Sequence, residues 1–251
     1  MEVKAEGEVK LYGWRARIGL IVPSSNTTME PEFSKIMPEG VSVHTARLKL
    51  VNVDAESLRK MAERSVEAAE DLATAEVDLI VYGCTTGSLL EGSRWEEELR
   101  LRMEKATGIT VITTAQAVVK SLKALGARKI SVATPYIEEL NEREKRFLEE
   151  NGFKVIKIKG LGIVRNTEIG KQPPWVAYRL ALEVARDSDA DVLFISCTNF
   201  RTLEVINYLE ETLQIPVISS NTSSAWLALR TLGIRDSINY GKLLREIKEV
   251  I

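Results

Sequence analysis

The sequence predicts an α/β protein made of two pseudo-symmetric halves, each a four-stranded, mostly parallel sheet flanked by helices. Short apolar runs alternate with segments of helical periodicity along the 251 residues. The order of these elements repeats in the second part of the chain. The repeat is regular, because 61 residues separate Pro23 from Cys84 and 62 separate Pro135 from Cys197.

The first half is assigned to residues 17–125, after an N-terminal lead-in at residues 1–16. Its strands are expected at 17–23, 41–47, 77–82 and 110–113. Apolar side chains recur at helical spacing and predict helices at 29–36, 55–75, 94–107 and 115–125. A C-terminal helix at residues 231–251 is expected to complete this half.

The second half, residues 126–230, repeats the pattern. Its strands are expected at 129–135, 153–158, 192–197 and 217–220, and its helices at 138–151, 174–186 and 202–212. Ligands of such Rossmann-like sheets bind beyond the carboxyl ends of the strands. The active site is therefore expected in the cleft between the two halves.

The chain has only two cysteines, Cys84 and Cys197, and each follows an apolar strand and precedes a threonine. At such a turn into a helix, unpaired backbone N–H groups favour the thiolate, so we expect both thiols to be acidic. The pseudo-twofold relation places the two thiols opposite one another. Inert core cysteines would have no reason to occupy two equivalent strand ends.

Polar side chains near the predicted cleft suit the binding of a small carboxylate. They are Ser25, Asn26, Thr85, Thr86, Thr198 and Asn199. Capping of the following helix is an alternative role for Ser25. With two facing cysteines, one thiolate attacks a carbon or removes a proton while the other thiol donates a proton.

The composition excludes several classes of function. A net charge of −2 with 28% charged residues indicates neither a nucleic-acid nor an anionic-membrane partner. No apolar run approaches the roughly 20 residues of a membrane span, and the N-terminus lacks the pattern of a signal peptide. A cytoplasmic location is expected. A single histidine, His44, and no close cysteine spacing argue against a metal site.

Four segments resemble the motifs of maleate cis-trans isomerases in the aspartate/glutamate racemase superfamily. They are the segments 19–30, 83–86, 133–136 and 162–170. The resemblance covers nearly the whole chain from Arg17 onward. It implies a homodimer that isomerises a small dicarboxylate, maleate, to fumarate without a cofactor.

The resemblance also implies roles for individual residues. Asn26, Tyr136 and Asn166 would hold the two carboxylates, Cys84 would form a covalent succinyl-type intermediate, and Cys197 would act as acid and base. Arylmalonate decarboxylases are relatives that keep only the second cysteine and have glycine at the first. Cys84 therefore argues against decarboxylation.

Two other functions remain open at this point. A cofactor-independent racemase of an amino acid or a hydantoin would also use two cysteines, exchanging one proton at a stereocentre. A non-catalytic protein that binds small carboxylates would leave both thiols unexplained. A thiol–disulfide oxidoreductase is disfavoured because the sequence has no Cys-x-x-Cys motif.

Overall fold

Two four-stranded sheets form the centre of the protein in a computed structural model that describes residues 11–250. The first sheet contains β1 (Ala16–Pro23), β2 (Val41–Leu48), β3 (Leu79–Tyr82) and β4 (Val111–Thr113), in the order β2-β1-β3-β4. The second contains β5 (Lys129–Thr134), β6 (Lys154–Gly160), β7 (Val192–Ile195) and β8 (Val217–Ser219), in the order β6-β5-β7-β8. All pairings within both sheets are parallel, which confirms the predicted fold class. Of the predicted lead-in, residues 1–10 lie outside the described part of the chain.

The helices that follow the strands of the first sheet are α1 (Met29–Ile36), α2 (Ala55–Glu63), α3 (Ser65–Ala73), α4 (Thr85–Leu89), α5 (Ser93–Thr107) and α6 (Thr114–Ala124). The single helix predicted at 55–75 is wrong, because the backbone leaves the helical region at Arg64, where ψ is 4°. This break directs α2 onto α4 while α3 packs on β1 and β2.

The remaining helices are α7 (Glu138–Glu150), α8 (Asn166–Gly170), α9 (Pro174–Ala185), α10 (Ile206–Leu213), α11 (Ser220–Thr231) and α12 (Gly241–Glu246). The helix predicted from residue 202 begins only at Ile206. The N–H groups of Thr202 and Leu203 donate to the buried Glu32 carboxylate at 2.9 and 3.1 Å, which holds this segment in a turn.

The C-terminal helix differs from the expectation. It is α12, six residues long instead of the predicted 231–251, and it packs against β8, α10 and α11. The loop before it contacts the segment that precedes β1, since Arg15 donates to Asp236 at 2.6 Å.

Two apolar clusters join the halves. Helices α6 and α11 pack on each other, and one cluster joins Phe33 and Ile112 of the first half to Phe194 and the fully buried Trp226. The other cluster joins residues of both halves around the two cysteines. Each large apolar side chain buried in this way contributes about 1.5–3 kcal/mol. The interface fixes the carboxyl ends of both sheets beside one another. Within residues 11–250, no helix combines the length and the apolar character that a bilayer crossing requires.

Candidate active site

A small cavity lies between the carboxyl ends of the two sheets. Its volume is about 10 Å³, roughly enough for one water molecule, so the site is closed in this structure. Its lining comprises Pro23, Asn26, Leu50, Val53, Cys84, Thr85, Thr86, Tyr136, Asn166, Cys197 and Thr198. The structure thus brings together eight of the ten site residues named from the sequence; Ser25 and Asn199 lie outside the lining. A larger depression near Lys157 and Arg179 has no cysteine in its lining.

Cys84 lies between β3 and α4, as expected from the apolar run that precedes it. It is the N-cap residue of α4, but its sulfur makes no side-chain cap hydrogen bond. The Gly87 N–H and the Thr86 hydroxyl still lie near enough to lower the pKa of the thiol. Gly87 lies close to the sulfur, since a Cβ at that position would be 3.0 Å from the Cys84 Sγ.

Cys197 has a different backbone setting from Cys84. It follows β7 with φ of 93°, a left-handed conformation that is strained for a residue with a side chain. The predicted helix N-terminus at this thiol is wrong, since α10 begins nine residues later. The Cys197 sulfur instead accepts from the Asn199 N–H at 3.4 Å and contacts the Tyr136 hydroxyl.

Burial dominates the proton affinity of both thiols. Desolvation raises the pKa of Cys84 to about 11, against the lowering effect of the Gly87 N–H and the Thr86 hydroxyl. It raises the pKa of Cys197 to about 12, against the Tyr136 and Asn199 donors. The prediction of acidic thiols is therefore wrong for the closed site, because the few donors do not compensate for the loss of water.

Asn26 and Thr198 connect the two cysteine loops. The Asn26 Oδ1 accepts from the N–H groups of Thr28 and Met29, both at 2.9 Å, and so orders the start of α1. Its Nδ2 donates to the Thr198 hydroxyl at 3.0 Å, and that hydroxyl donates to the Gly83 carbonyl at 3.1 Å. One N–H of the Asn26 amide remains for a ligand, because a primary amide has two.

Asn166 is held from two sides at the start of α8. Its Nδ2 donates to the Ser25 hydroxyl at 2.8 Å, and Ser25 donates to the Leu50 carbonyl at 2.6 Å. The Asn199 Nδ2 donates to the Asn166 carbonyl at 2.8 Å. Ser25 does not line the cavity and instead supports Asn166, and its contact with substrate stays a prediction.

Ser220 is a site residue that the sequence analysis missed. Its hydroxyl accepts from the Thr85 hydroxyl at 2.8 Å and from the Cys197 N–H at 3.0 Å, so it ties together the two cysteine loops. It lies at the end of β8, directly after the strand. The repeat contained the signal, because the matching position in the first half, Thr114, also follows a strand and donates to the Tyr82 carbonyl.

Known proteins are similar in sequence to this chain over most of its length. The sequence model described as arylmalonate decarboxylase matches residues 18–244. The chain belongs to the arylmalonate decarboxylase family. Within that family, a maleate isomerase from Geobacillus stearothermophilus is 32% identical over 246 residues, which cover 91% of this chain and 96% of the relative.

Solved structures of maleate isomerases share the fold over almost the full chain. A cysteine-to-alanine variant from Pseudomonas putida S16 with maleate has a TM-score of 0.88 at 28% identity, covering 91% of this chain and 97% of its own. A cysteine-to-serine variant from Nocardia farcinica, with a covalently bound succinylcysteine intermediate, has a TM-score of 0.85 at 28% identity, covering 92% and 98%. The resemblance to maleate isomerases stated from the sequence motifs is confirmed.

Proposed function

We propose that this member of the arylmalonate decarboxylase family is a maleate cis-trans isomerase, which converts maleate into fumarate without a cofactor. The observation that carries the proposal is the pair of cysteines, one from each sheet, on the wall of a single small cavity. Similarity to a maleate isomerase that carries a succinylcysteine supports the same chemistry.

Donors on the cavity wall suit the two carboxylates of maleate. The second N–H groups of the Asn26 and Asn166 amides and the Tyr136 hydroxyl are the side-chain donors we assign to them. The hydroxyls of Thr85, Thr86 and Thr198 line the same wall. Hydrogen bonds from the Asn26 and Asn166 amides to a carboxylate strengthen as negative charge develops on it, so they lower the barrier to attack on the adjacent carbon.

The reaction begins with Cys84 as the thiolate and Cys197 as the thiol. The Cys84 sulfur bonds to one alkene carbon, and the π electron pair moves onto the adjacent carbon and its carboxylate. The Cys197 proton then moves to that adjacent carbon, which leaves a succinyl thioether on Cys84 and a thiolate on Cys197. The former double bond is now a single bond and rotates.

The second stage reverses the first. The Cys197 thiolate removes the proton from the same carbon, the C–S bond breaks, and its electrons leave with Cys84 as the thiolate. The double bond re-forms in the trans geometry of fumarate. Both cysteines return to their starting protonation states, so the cycle consumes nothing.

The site favours isomerisation over the other activities considered. An arylmalonate decarboxylase keeps only the second of the two cysteines, so its chemistry gives Cys84 no role. In a racemase the two cysteines do the same chemistry on opposite faces of one stereocentre, which favours two equivalent loops. The turns at Cys84 and Cys197 instead differ in backbone conformation. A non-catalytic binding protein would have no use for two buried thiols on the wall of its ligand site.

We also propose a cytoplasmic homodimer. Neither cysteine is in a disulfide, which suits a reducing compartment. The homodimer rests on the resemblance to maleate isomerases. Light scattering coupled to size-exclusion chromatography tests it, with twice the 28.0 kDa chain mass expected and the mass of one chain contradicting it.

Proton NMR of purified protein with maleate tests the activity. We expect the alkene signal of maleate to be replaced by that of fumarate, with no loss of carbon dioxide. The Cys84→Ala variant should lose at least about a thousandfold in kcat because the nucleophile is gone. Full activity in that variant would contradict the role of Cys84. Inert maleate together with loss of optical rotation of an amino acid or hydantoin would favour the racemase alternative.

A further inference from the structure

Glu144 on α7 is a buried carboxylate that the proposed reaction does not use. Its side chain is fully buried, and its Oε1 accepts from the Ser196 hydroxyl at 2.6 Å. Its other oxygen, Oε2, is buried with no hydrogen-bond partner. A buried carboxylate with one partner is costly to keep ionised, and burial raises the pKa of Glu144 to about 7. Such a group calls for an explanation.

A chain of contacts joins Glu144 to Cys197. Ser196 immediately precedes Cys197 and links the carboxylate to the hydroxyl of Tyr136, which in turn contacts the Cys197 sulfur. The titratable groups that face Glu144 are therefore Tyr136 and Cys197. In the described part of the chain no Lys or Arg is paired with this carboxylate. Its charge acts on Cys197 without a cation to neutralise it.

The first half holds an equivalent carboxylate with a different use. Glu32 lies nine residues after Pro23, as Glu144 lies nine residues after Pro135. Glu32 is also buried, but Thr202, Leu203 and the Asn221 amide together satisfy both of its oxygens. The residue before Cys84 is Gly83, which has no side chain to link a carboxylate to the sulfur. The two cysteines thus differ in their electrostatic surroundings.

We propose that Glu144 is a positioning residue that keeps the shared proton of the pair on Cys197, through Ser196 and Tyr136, and thereby makes Cys84 the nucleophile. A negative charge near Cys197 disfavours a second negative charge on its sulfur. No such charge stands behind Cys84, so the thiolate forms there. The assignment deepens the proposed function and rests on it for its catalytic meaning.

Alkylation by iodoacetamide at pH 8, measured by mass spectrometry without maleate, tests this assignment. The Cys84→Ser background isolates Cys197, and adding Glu144→Gln removes the charge while keeping an oxygen for Ser196. We expect Cys197 to react about tenfold faster in the double variant, which corresponds to a fall of about one unit in its pKa. An unchanged rate overturns the proposal.

Two controls separate charge from a general opening of the site. In the Cys197→Ser background, Glu144→Gln should leave the alkylation rate of Cys84 within about twofold, and equal acceleration at both thiols overturns the proposal. In the Cys84→Ser background, Glu142→Gln at an exposed position of α7 should leave the alkylation rate of Cys197 within about twofold, and acceleration equal to that of Glu144→Gln also overturns the proposal. If the Gln variant does not fold, Glu144→Met removes the charge with a side chain of similar length. None of these rates depends on turnover of maleate, so this test and the isomerase test fail separately.

Discussion

Desolvation governs the chemistry of Cys84 and Cys197 at the scale of single residues. Both thiols are buried, and both have pKa values raised far above the ordinary range by the loss of water. The thiolate that attacks an alkene is therefore a minor species of the free enzyme at neutral pH. The same desolvation makes that thiolate a stronger nucleophile once it forms, because it is not hydrated.

The pH dependence of the reaction follows from these pKa values. A thiolate fraction that is small at pH 7 grows tenfold with each pH unit until the pKa of Cys84, about 11, is approached. We expect kcat/KM for maleate to rise about tenfold per unit between pH 7 and 9. Initial rates at low maleate concentration give this profile. A plateau throughout that range would show that Cys84 is already ionised in the free enzyme.

At the scale of elements, the loops after the strands set the geometry of the site. Helix α8 is an example, because it presents Asn166 to the cavity while its last residue, Gly170, lies against two other loops. A Cβ at Gly170 would lie 2.6 Å from the Thr27 Oγ1 and 3.0 Å from the Asn199 Oδ1. The absence of a side chain at Gly170 thus permits α8 to dock beside the cysteine loops.

Replacement of Gly170 by alanine tests the docking of α8. We expect Gly170→Ala to lower the free energy of unfolding by about 1–3 kcal/mol through overpacking. We also expect a higher KM for maleate, because the added methyl group pushes α8, and with it Asn166, away from the cavity. Urea unfolding and steady-state kinetics measure both. The neighbouring exposed Lys171→Ala should change stability by no more than about 0.5 kcal/mol. An unaltered KM in Gly170→Ala would contradict the role of α8.

The sequence predicted the strands better than the loops. Buried strands are marked by uninterrupted apolar runs, such as the one from Val192 to Ile195, and duplication confirmed their order. The turn after Cys197 carries no such mark. Its conformation depends on Glu32, a residue remote in sequence whose carboxylate accepts hydrogen bonds from the N–H groups of Thr202 and Leu203. Contacts of this kind are invisible to local patterns, so the predicted helix at 202–212 started too early.

The sequence predicted which residues line the site better than it predicted the pKa values of the two thiols. The repeat and the motifs selected Cys84, Cys197, Tyr136 and Asn166, which all line the cavity. The acidity of the thiols was mispredicted because burial is a property of the assembled fold. The position of Ser25 behind Asn166 also depends on the assembled fold, since its hydroxyl bonds to the Leu50 carbonyl and the Asn166 amide.

At the scale of the whole molecule, polar contacts between the halves surround the cavity. Asn199 of the second half accepts from the Thr27 N–H at 2.9 Å with its side chain, and its carbonyl accepts from the Thr28 hydroxyl at 3.0 Å. The same amide holds Asn166. One side chain therefore couples the relative position of the halves to a residue of the site.

Asn199→Ala should weaken both that coupling and substrate binding. We expect a loss of about 1–3 kcal/mol in the free energy of unfolding, because buried donors lose their partner, together with a higher KM. Asn207→Ala is the matched control: it also loses hydrogen bonds, to Asn239 and Gly241, but far from the cavity. It should lower stability and leave KM unchanged. Equal KM values in the two variants would contradict the coupling.

The central claim is that Cys84 forms a covalent bond to the substrate while Cys197 handles the proton. The most direct measurement is peptide-mapping mass spectrometry of the Cys197→Ser variant after incubation with maleate. The mechanism predicts a mass increase of one maleate on the peptide that contains Cys84. The introduced serine hydroxyl or water supplies the proton that makes the succinyl adduct, but no thiolate at position 197 removes it again for release. An unmodified Cys84 peptide in a variant that still turns over maleate would contradict the claim.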